Sequence, residues 1–199
     1  CDVTNEDALE ELIEKGVHYF GGLDMVVLNA GMFPKGKKVA ELPLREWKNV
    51  FSVNLDANLN ILRIVFPLLQ AAPNKGRVVI IGSKNVSAPG PGAAAYSASK
   101  AALNQLMRVL SIEWGEHGIR LNTIHPNAVF DTGIWKDEVL KSRAKEYNLS
   151  VDEYKTNNLL GVKIYSKDVS ELAAEMCGVL FSKTTASQIP VDGGNERVV

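Results

Sequence analysis

The run from Ser83 to Lys100 contains three side chains whose types and spacing suit proton transfer. Tyr96 and Lys100 are four residues apart, so a helix would carry both on one face. Ser83 lies thirteen residues before Tyr96, at the end of the apolar run RVVIIG. A strand, a loop rich in glycine and proline, and a helix would bring a hydroxyl, a phenol and an ammonium to one point. Such a trio can move a proton on or off a carbinol oxygen while a cofactor moves the hydride.

This chemistry requires a perturbed tyrosine. A tyrosine acts as a general base only if its pKa falls from about 10 toward the working pH, and a drop of ~3 units corresponds to about 4 kcal/mol. The ammonium of Lys100 would supply part of that energy, and Ser83 would position the substrate oxygen beside Tyr96. The pattern Y-x-x-x-K is common by chance and also fits two solvated residues of an ordinary helix. The serine at a strand end favours the catalytic interpretation.

Apolar runs alternate with helical patterns along the chain, which predicts an α/β fold with a doubly wound parallel sheet. The strands are predicted at LDMVVLN, RVVIIG, 119–124 and QIPV. The first of them is typical of a strand buried on both faces. The main helices are predicted over 5–19, 44–70, 93–115 and 166–181. We expect Thr4 and Ser166 to cap the first and last helices, Pro67 to kink the second, and 127–163 to mix short helices with loops.

Composition limits the function classes. The 199 residues include 46% hydrophobic residues, 22 basic and 23 acidic side chains, and a net charge of −1. These values favour one globular domain with a substantial core, and the interspersed charges favour neither nucleic acid nor a membrane surface as a partner. No apolar run reaches the ~18 residues of a transmembrane helix, and no signal peptide is recognisable. The two cysteines fit the reducing cytoplasm, and the three histidines lack metal-ligand spacing, so no catalytic metal is expected.

Further motifs resemble the short-chain dehydrogenase/reductase family along almost the whole chain. The residues NAG at 29–31 end a strand as the NAG motif of that family does. Asn54, in SVNLDANLN, resembles the family's catalytic asparagine, which helps hold a water in a proton relay from the lysine. The segments IRLNTIHP and QIPVDGG resemble the strand before the nicotinamide loop and the closing strand. The resemblance implies a catalytic set of Asn54, Ser83, Tyr96 and Lys100.

The same resemblance implies a Rossmann-like sheet that binds NAD or NADP. The cofactor-binding residues that it implies are Asp2, Asn29, Ala30, Gly31, Tyr96, Lys100, Pro126, Val129 and Thr132. Family members usually have Pro-Gly where this chain has Pro126-Asn127. Asp131 occupies the position of the threonine that usually contacts the nicotinamide. We therefore expect a nicotinamide loop with its own local geometry.

The opening residues, Cys1-Asp2-Val3-Thr4, resemble the DVT that follows the family's third strand. The glycine-rich turn T-G-x-x-x-G-x-G, which receives the cofactor pyrophosphate, does not occur in this sequence. Residues 1–199 are therefore expected to form a single, partial dehydrogenase domain, the C-terminal part of the sheet, with weak or absent dinucleotide binding. LDMVVLN would then be an exposed sheet edge, which tends to recruit other chains. An inactive fragment that serves as an assembly or interaction module is the alternative function.

A narrower resemblance concerns HPNAVFDTGIW, YKTNNLL and PVDGGNERVV. These segments resemble the dehydrogenase half of bifunctional rhamnulose-1-phosphate aldolase/alcohol dehydrogenases. This implies an upstream aldolase domain and a small alcohol or aldehyde substrate such as lactaldehyde. The family typically pairs subunits through the helices that correspond to 44–70 and 93–115, so a homo-oligomer is expected. A monomer whose helices are covered by the sheet and their neighbours is the alternative.

A few polar and aromatic residues near the predicted site have two interpretations. His125 ends a strand and either tunes the substrate or is structural. The loop residues Lys84, Asn85, Phe130 and Trp135 either shape a small polar substrate pocket or serve as loop and packing residues. Cys177 is expected to be a buried helix residue rather than a nucleophile.

Overall fold

The computed structural model describes residues 1–195 and contains one parallel sheet. Its four strands are β1 (Met25–Leu28), β2 (Arg77–Ile81), β3 (Arg120–Pro126) and β4 (Gln188–Val191). They lie in the order β1-β2-β3-β4, with Val26 beside Val78 and Ile124 beside Ile189. The α/β class and the parallel sheet predicted from the sequence are confirmed. The last four residues of the motif PVDGGNERVV lie outside the described residues.

Helices cover both faces of the sheet. They are α1 (Glu6–Phe20), α2 (Leu44–Phe51), α3 (Ala57–Ala71), α4 (Ala94–Gly115), α5 (Asp137–Glu146), α6 (Val151–Lys155) and α7 (Ser166–Cys177). On one face, buried residues of α3 and α4 such as Leu62 and Met107 pack against the sheet. On the other face, Met176 and Cys177 of α7 pack against Val79 of β2. Burial of Cys177 at the end of a helix agrees with the sequence-based interpretation.

The helix predicted over 44–70 is interrupted, but not at Pro67. Helix α3 continues through Pro67, and the break is a π-helical turn at Ser52–Asp56 between α2 and α3. The amide of Asn58 donates to the carbonyl of Asn54 at 2.9 Å and contacts that of Val53 at 3.5 Å. A proline removes only one helical hydrogen bond, whereas a π-turn changes the register of the whole turn, and such turns are frequent at functional sites.

The first helix begins one residue later than predicted. Asn5, not Thr4, is its N-cap, because Asn5 Oδ1 accepts a hydrogen bond from the backbone N–H of Ala8 at 3.1 Å. The N–H and hydroxyl of Thr4 instead donate to Asp2 Oδ1, at 2.9 Å and 2.8 Å. The side chains of Thr4 and Asn5 are both suited to cap the helix, and the side-chain amide of Asn5 takes the N-cap position.

The last helix ends earlier than predicted and has a different cap. Tyr165 is the N-cap position, and its N–H donates to Asp168 Oδ2 at 2.7 Å. Helix α7 ends at Cys177, and a short 3₁₀ turn, Val179–Phe181, follows Gly178. The guanidinium of Arg120 donates to the carbonyl of Gly178 at 3.4 Å and to that of Phe181, so a cation meets the carboxyl end of α7.

Strand β1 forms one edge of the described sheet. Its inward side chains, Val26 and Leu28, contact the cluster around α3 and α4. On the opposite face Met25 and Val27 remain 49% and 48% exposed. The predicted sheet edge is therefore confirmed, whereas burial of this strand on both faces is wrong, because α7 covers β2 and β3 instead.

Candidate active site

The catalytic trio predicted from the sequence converges at the carboxyl end of β2. Ser83 follows this strand, and Tyr96 lies in the first turn of α4, one turn before Lys100. The preceding loop turns at Gly92, which has a φ of 80°, and the Gly92 carbonyl accepts a hydrogen bond from the N–H of Lys37 at 3.0 Å. The Ser83 hydroxyl lies close enough to the Tyr96 phenol to influence its pKa. The structure thus brings the alcohol and the phenol together as the spacing predicts.

Burial dominates the acidity of Tyr96. Desolvation raises the pKa of its phenol above the ordinary value of 10, and the nearby Ser83 hydroxyl offsets part of this change. The sequence-based expectation that the lysine ammonium lowers this pKa is not met here. Lys100 Nζ donates to the backbone carbonyl of Ile81 at 2.7 Å, so its charge is directed to the end of β2. Tyr96 therefore holds its proton at neutral pH.

Lys100 is a buried cation. Its side chain belongs to a residue that is 4% exposed, and burial lowers its pKa to about 8. An ammonium has three donor hydrogens, and among residues 1–195 only the Ile81 carbonyl accepts one. Two N–H groups of Lys100 therefore remain available to a ligand in the groove that Lys100 lines.

The π-turn places Asn54 beside this site. Asn54 is fully buried; its Oδ1 accepts from the N–H of Met32 at 2.8 Å, and its Nδ2 donates to the Met32 carbonyl and to Ser99 Oγ, both at 3.1 Å. Gly31 lies between Asn54 and Lys100, since an added Cβ would be 3.4 Å from Asn54 Oδ1 and 3.6 Å from Lys100 Nζ. All four predicted catalytic residues are thus assembled around one point.

His125 has a structural role in this arrangement. Its Nδ1 lies 3.2 Å from the backbone nitrogen of Ser83 and 3.0 Å from the Ser83 carbonyl oxygen. Gly82 leaves room for this contact, because a Cβ there would be 2.6 Å from His125 Nδ1. The imidazole therefore holds the backbone that carries the Ser83 hydroxyl, a contact between β2 and β3 that spacing along the chain did not reveal.

A groove of about 800 Å³ runs along the carboxyl ends of the strands and beside α7. The predicted cofactor-binding residues that line it are Asn29, Gly31, Tyr96, Lys100, Pro126, Val129 and Thr132. Two predicted residues do not line it. Ala30 is half-buried between two lining residues, and Asp2 is exposed, with its carboxylate bonded to Thr4. The pKa of Asp2 is lowered by these two bonds.

The loop after β3, predicted to contact the nicotinamide, is attached to a neighbouring helix. The Asp131 carboxylate accepts hydrogen bonds from the N–H and hydroxyl of Ser166, at 2.8 Å and 2.6 Å, and these bonds lower its pKa. Thr132, the next residue, lines the groove, and its hydroxyl donates to the Val129 carbonyl at 2.8 Å. Asp131 therefore attaches the loop to the start of α7, a role that the sequence did not reveal.

A second cavity, of about 450 Å³, meets the groove at the reactive trio. Ser83 and Tyr96 line both the groove and the second cavity, whereas Lys100 lines the groove but not the second cavity. The loop residues Lys84, Asn85, Phe130 and Trp135 line the second cavity, which supports the pocket interpretation over simple packing. The phenol and the hydroxyl therefore stand where two ligands would meet.

The described chain offers no metal centre and no membrane span. Within residues 1–195, no cluster of three or more His, Cys, Asp or Glu side chains could hold a metal ion. In the same range, no helix combines the length and the apolar character needed to cross a bilayer.

Similarity to known proteins agrees with this geometry. A family model described as enoyl-(acyl carrier protein) reductase matches residues 1–196. An uncharacterised NAD-dependent oxidoreductase of Mycobacterium tuberculosis is 34% identical over 194 residues, which are 97% of this chain and 70% of that protein. The chain belongs to the short-chain dehydrogenase/reductase family. YuxG, an uncharacterised oxidoreductase of Bacillus subtilis, is 34% identical over 198 residues. The match covers 97% of the present chain but only 29% of YuxG.

Solved structures of the family share the fold. Carveol dehydrogenase from Mycobacterium avium in complex with NAD is 25% identical and superposes with a TM-score of 0.90, over 99% of this chain and 73% of that one. The parallel sheet with helices on both faces is therefore the Rossmann-like arrangement of the family.

Proposed function

We propose that this chain is an NAD(P)-dependent oxidoreductase domain that transfers hydride to or from a small alcohol or aldehyde. The observation that carries the proposal is the position of Ser83 and Tyr96 at the junction of the groove and the second cavity. A groove ligand and a cavity ligand would both reach the phenol there. The NAD in the mycobacterial carveol dehydrogenase complex supports the choice of cofactor.

The groove residues suit the nicotinamide end of NAD or NADP. The two unused N–H groups of Lys100 match ribose hydroxyls, which are good acceptors for a buried ammonium. Asn29, Pro126 and Val129 would contact the neighbouring parts of the same ligand, along the carboxyl ends of the strands. When bound, this cofactor supplies or accepts the hydride.

The chain's own residues handle the proton. In reduction, Tyr96 donates its proton to the carbonyl oxygen of the substrate as the carbonyl carbon receives the hydride, and Ser83 orients that oxygen. In oxidation, the phenolate of Tyr96 accepts the carbinol proton. The raised pKa of Tyr96 keeps the phenol protonated at neutral pH, which is the form that reduction requires. Asn54 and Lys100 would complete the relay that returns a proton to Tyr96.

The finer parts of the proposal rest on the sequence resemblance. We propose a lactaldehyde-like substrate and an upstream aldolase domain in a rhamnose-pathway bifunctional protein. The match to YuxG supports this, since that protein is more than three times as long as the matched segment. We also propose a homo-oligomer, because subunits of this family typically pair through two long helices. A cytoplasmic location is supported by the two cysteines, which fit a reducing compartment.

The Tyr96→Phe variant of the full-length protein tests the mechanism. We expect kcat with lactaldehyde and NADH or NADPH to fall by about 10²–10⁴, the usual contribution of general acid–base catalysis, with the Kd for the cofactor little changed. Tyr19→Phe is the matched control, because Tyr19 is 82% exposed on α1. A Tyr96→Phe protein that retains most of its turnover would refute the mechanism.

The exposed edge supports a second candidate, an assembly module without catalytic activity. Met25 and Val27 present apolar side chains beside the unpaired backbone of β1, the kind of edge that recruits another strand. Titration of the chain with NAD and NADP separates the two candidates. Micromolar affinity would exclude the inactive module, whereas no binding together with concentration-dependent association would favour it.

A further inference from the structure

We propose that the second cavity selects a hydroxy or oxo compound with an anionic group, carboxylate or phosphate, bound by Lys155. This inference rests on the proposed hydride transfer at Tyr96. For the same site it names an anionic substrate class in place of the neutral, lactaldehyde-like compound that the sequence resemblance suggests. It places the reacting carbon at Tyr96 and the charged end of the substrate at the cationic side of the cavity.

Positive charge predominates around the cavity. Within residues 1–195, its lining includes three cationic side chains, Lys84, Arg143 and Lys155, and one carboxylate, Asp192. Asp192 is 7% exposed, and its Oδ1 accepts a hydrogen bond from the N–H of Gly194 at 2.8 Å, which holds this carboxylate within the closing loop. The cavity therefore favours a negatively charged ligand over a neutral or cationic one.

The partners of the three cations single out Lys155. Arg143 forms an ion pair with Glu146 at 3.1 Å, and the ammonium of Lys84 donates to Asn195 Oδ1. Lys155 is only partly exposed, yet it forms neither a hydrogen bond nor an ion pair with any residue in 1–195. An ammonium without a counter-ion in the wall of a cavity gains from an anion that enters that cavity.

Lys155 lies beside a cluster of aromatic rings. It ends α6 directly after Tyr154, whose ring centroid lies 6.3 Å from that of Phe130, 6.1 Å from that of Trp135 and 5.8 Å from that of Tyr147. These rings give the cavity an apolar wall that would cover the carbon chain of a ligand. A volume of about 450 Å³ lies within the range of small-molecule sites and exceeds the need of a three-carbon aldehyde.

Two matched pairs of ligands test the inference by calorimetric titration of the chain. The first pair is 3-hydroxybutyrate and neutral 1,3-butanediol, and the second is glycerol 3-phosphate and glycerol. We expect the anionic member of at least one pair to bind about 10-fold more tightly than its neutral twin, as one charge-assisted contact allows. The pair with the larger ratio identifies the anionic group as carboxylate or phosphate.

Variants of Lys155 assign the preference to this side chain. Lys155→Gln should weaken the anionic ligand about 10-fold and leave the neutral twin within about 2-fold, whereas Lys155→Arg should keep the preference. Lys141→Gln is the control, because Lys141 is exposed on α5 and lies outside the cavity lining. Equal binding of the twins, no binding of either anion, or an equal loss for both twins in Lys155→Gln would overturn the inference.

The titration and the turnover assay fail independently. If Tyr96→Phe retains turnover while Lys155 still confers the anion preference, the proposed function fails and the anion site stands. If Tyr96→Phe abolishes turnover of neutral substrates while the anions bind no better than their twins, the proposed function stands and the anion site fails.

Discussion

Lys100 should lower the stability of the fold at neutral pH, and replacing it with methionine should reveal by how much. Lys100 is 4% exposed and has a pKa of about 8, against an ordinary value of 10.5. Below pH 8 both the folded and the unfolded chain hold its proton, and folding must bury the charge. Between pH 8 and 10.5 only the unfolded chain holds the proton, so the free energy of unfolding rises with pH.

The magnitude follows from the two pKa values. Their difference means that, at pH 7 and below, the buried charge lowers the free energy of unfolding by about 3 kcal/mol relative to an uncharged Lys100 side chain. From pH 7.5 to 9.5, the free energy of unfolding of the wild type should therefore rise by about 2 kcal/mol relative to Lys100→Met. The variant also loses the hydrogen bond to the Ile81 carbonyl, which costs about 1 kcal/mol at every pH and leaves the slope unchanged.

Urea unfolding of both proteins at pH 7.5, 8.5 and 9.5 measures this difference. A control variant, Lys141→Met, removes an exposed lysine and leaves the buried charge in place, so it should follow the wild type. Parallel pH profiles for the wild type and Lys100→Met would refute the argument that burial sets the pKa of Lys100. Lys100→Met should also have a lower turnover. Lys100 would then be a residue that destabilises the fold but is required for activity.

Two further substitutions test the scaffold of the site. Gly82→Ala places a Cβ 2.6 Å from His125 Nδ1, so we expect the free energy of unfolding, measured in urea, to fall by about 1–3 kcal/mol. We also expect a lower kcat, because the clash would displace Ser83. Unchanged stability would contradict the close contact. Asn58→Ala leaves the buried Asn54 carbonyl without its side-chain donor and should cost about 1–3 kcal/mol in the same assay, and a variant as stable as the wild type would argue against this role.

The sequence predicted the parts of the site that depend on local geometry. Tyr96 and Lys100 share a helix face because they are one turn apart, and Ser83 ends a strand that its apolar neighbours identify. These residues converge because α4 connects the parallel strands β2 and β3 and therefore begins at the edge of the sheet where β2 ends. Pattern and spacing are sufficient for such features.

Features that depend on contacts between distant segments were not predictable in this way. The π-turn at Ser52–Asp56 carries no composition signal, and the position of Asn54 depends on Met32 and Ser99, which are far away in sequence. The link between Asp131 and Ser166 spans 35 residues. The effect of burial on Tyr96 also exceeded the expected effect of its neighbouring lysine, because the Lys100 ammonium is bonded to a backbone carbonyl.

The hydrogen bonds between Asp131 and Ser166 join the turn after β3 to the start of α7. This turn is therefore held by both the sheet and α7, and both elements line the same groove. Phe130 of the same turn contacts Tyr154 of α6, so the aromatic cluster is attached to the turn as well. Trp135 lines both the groove and the second cavity, and a change there would therefore alter both ligand spaces at once.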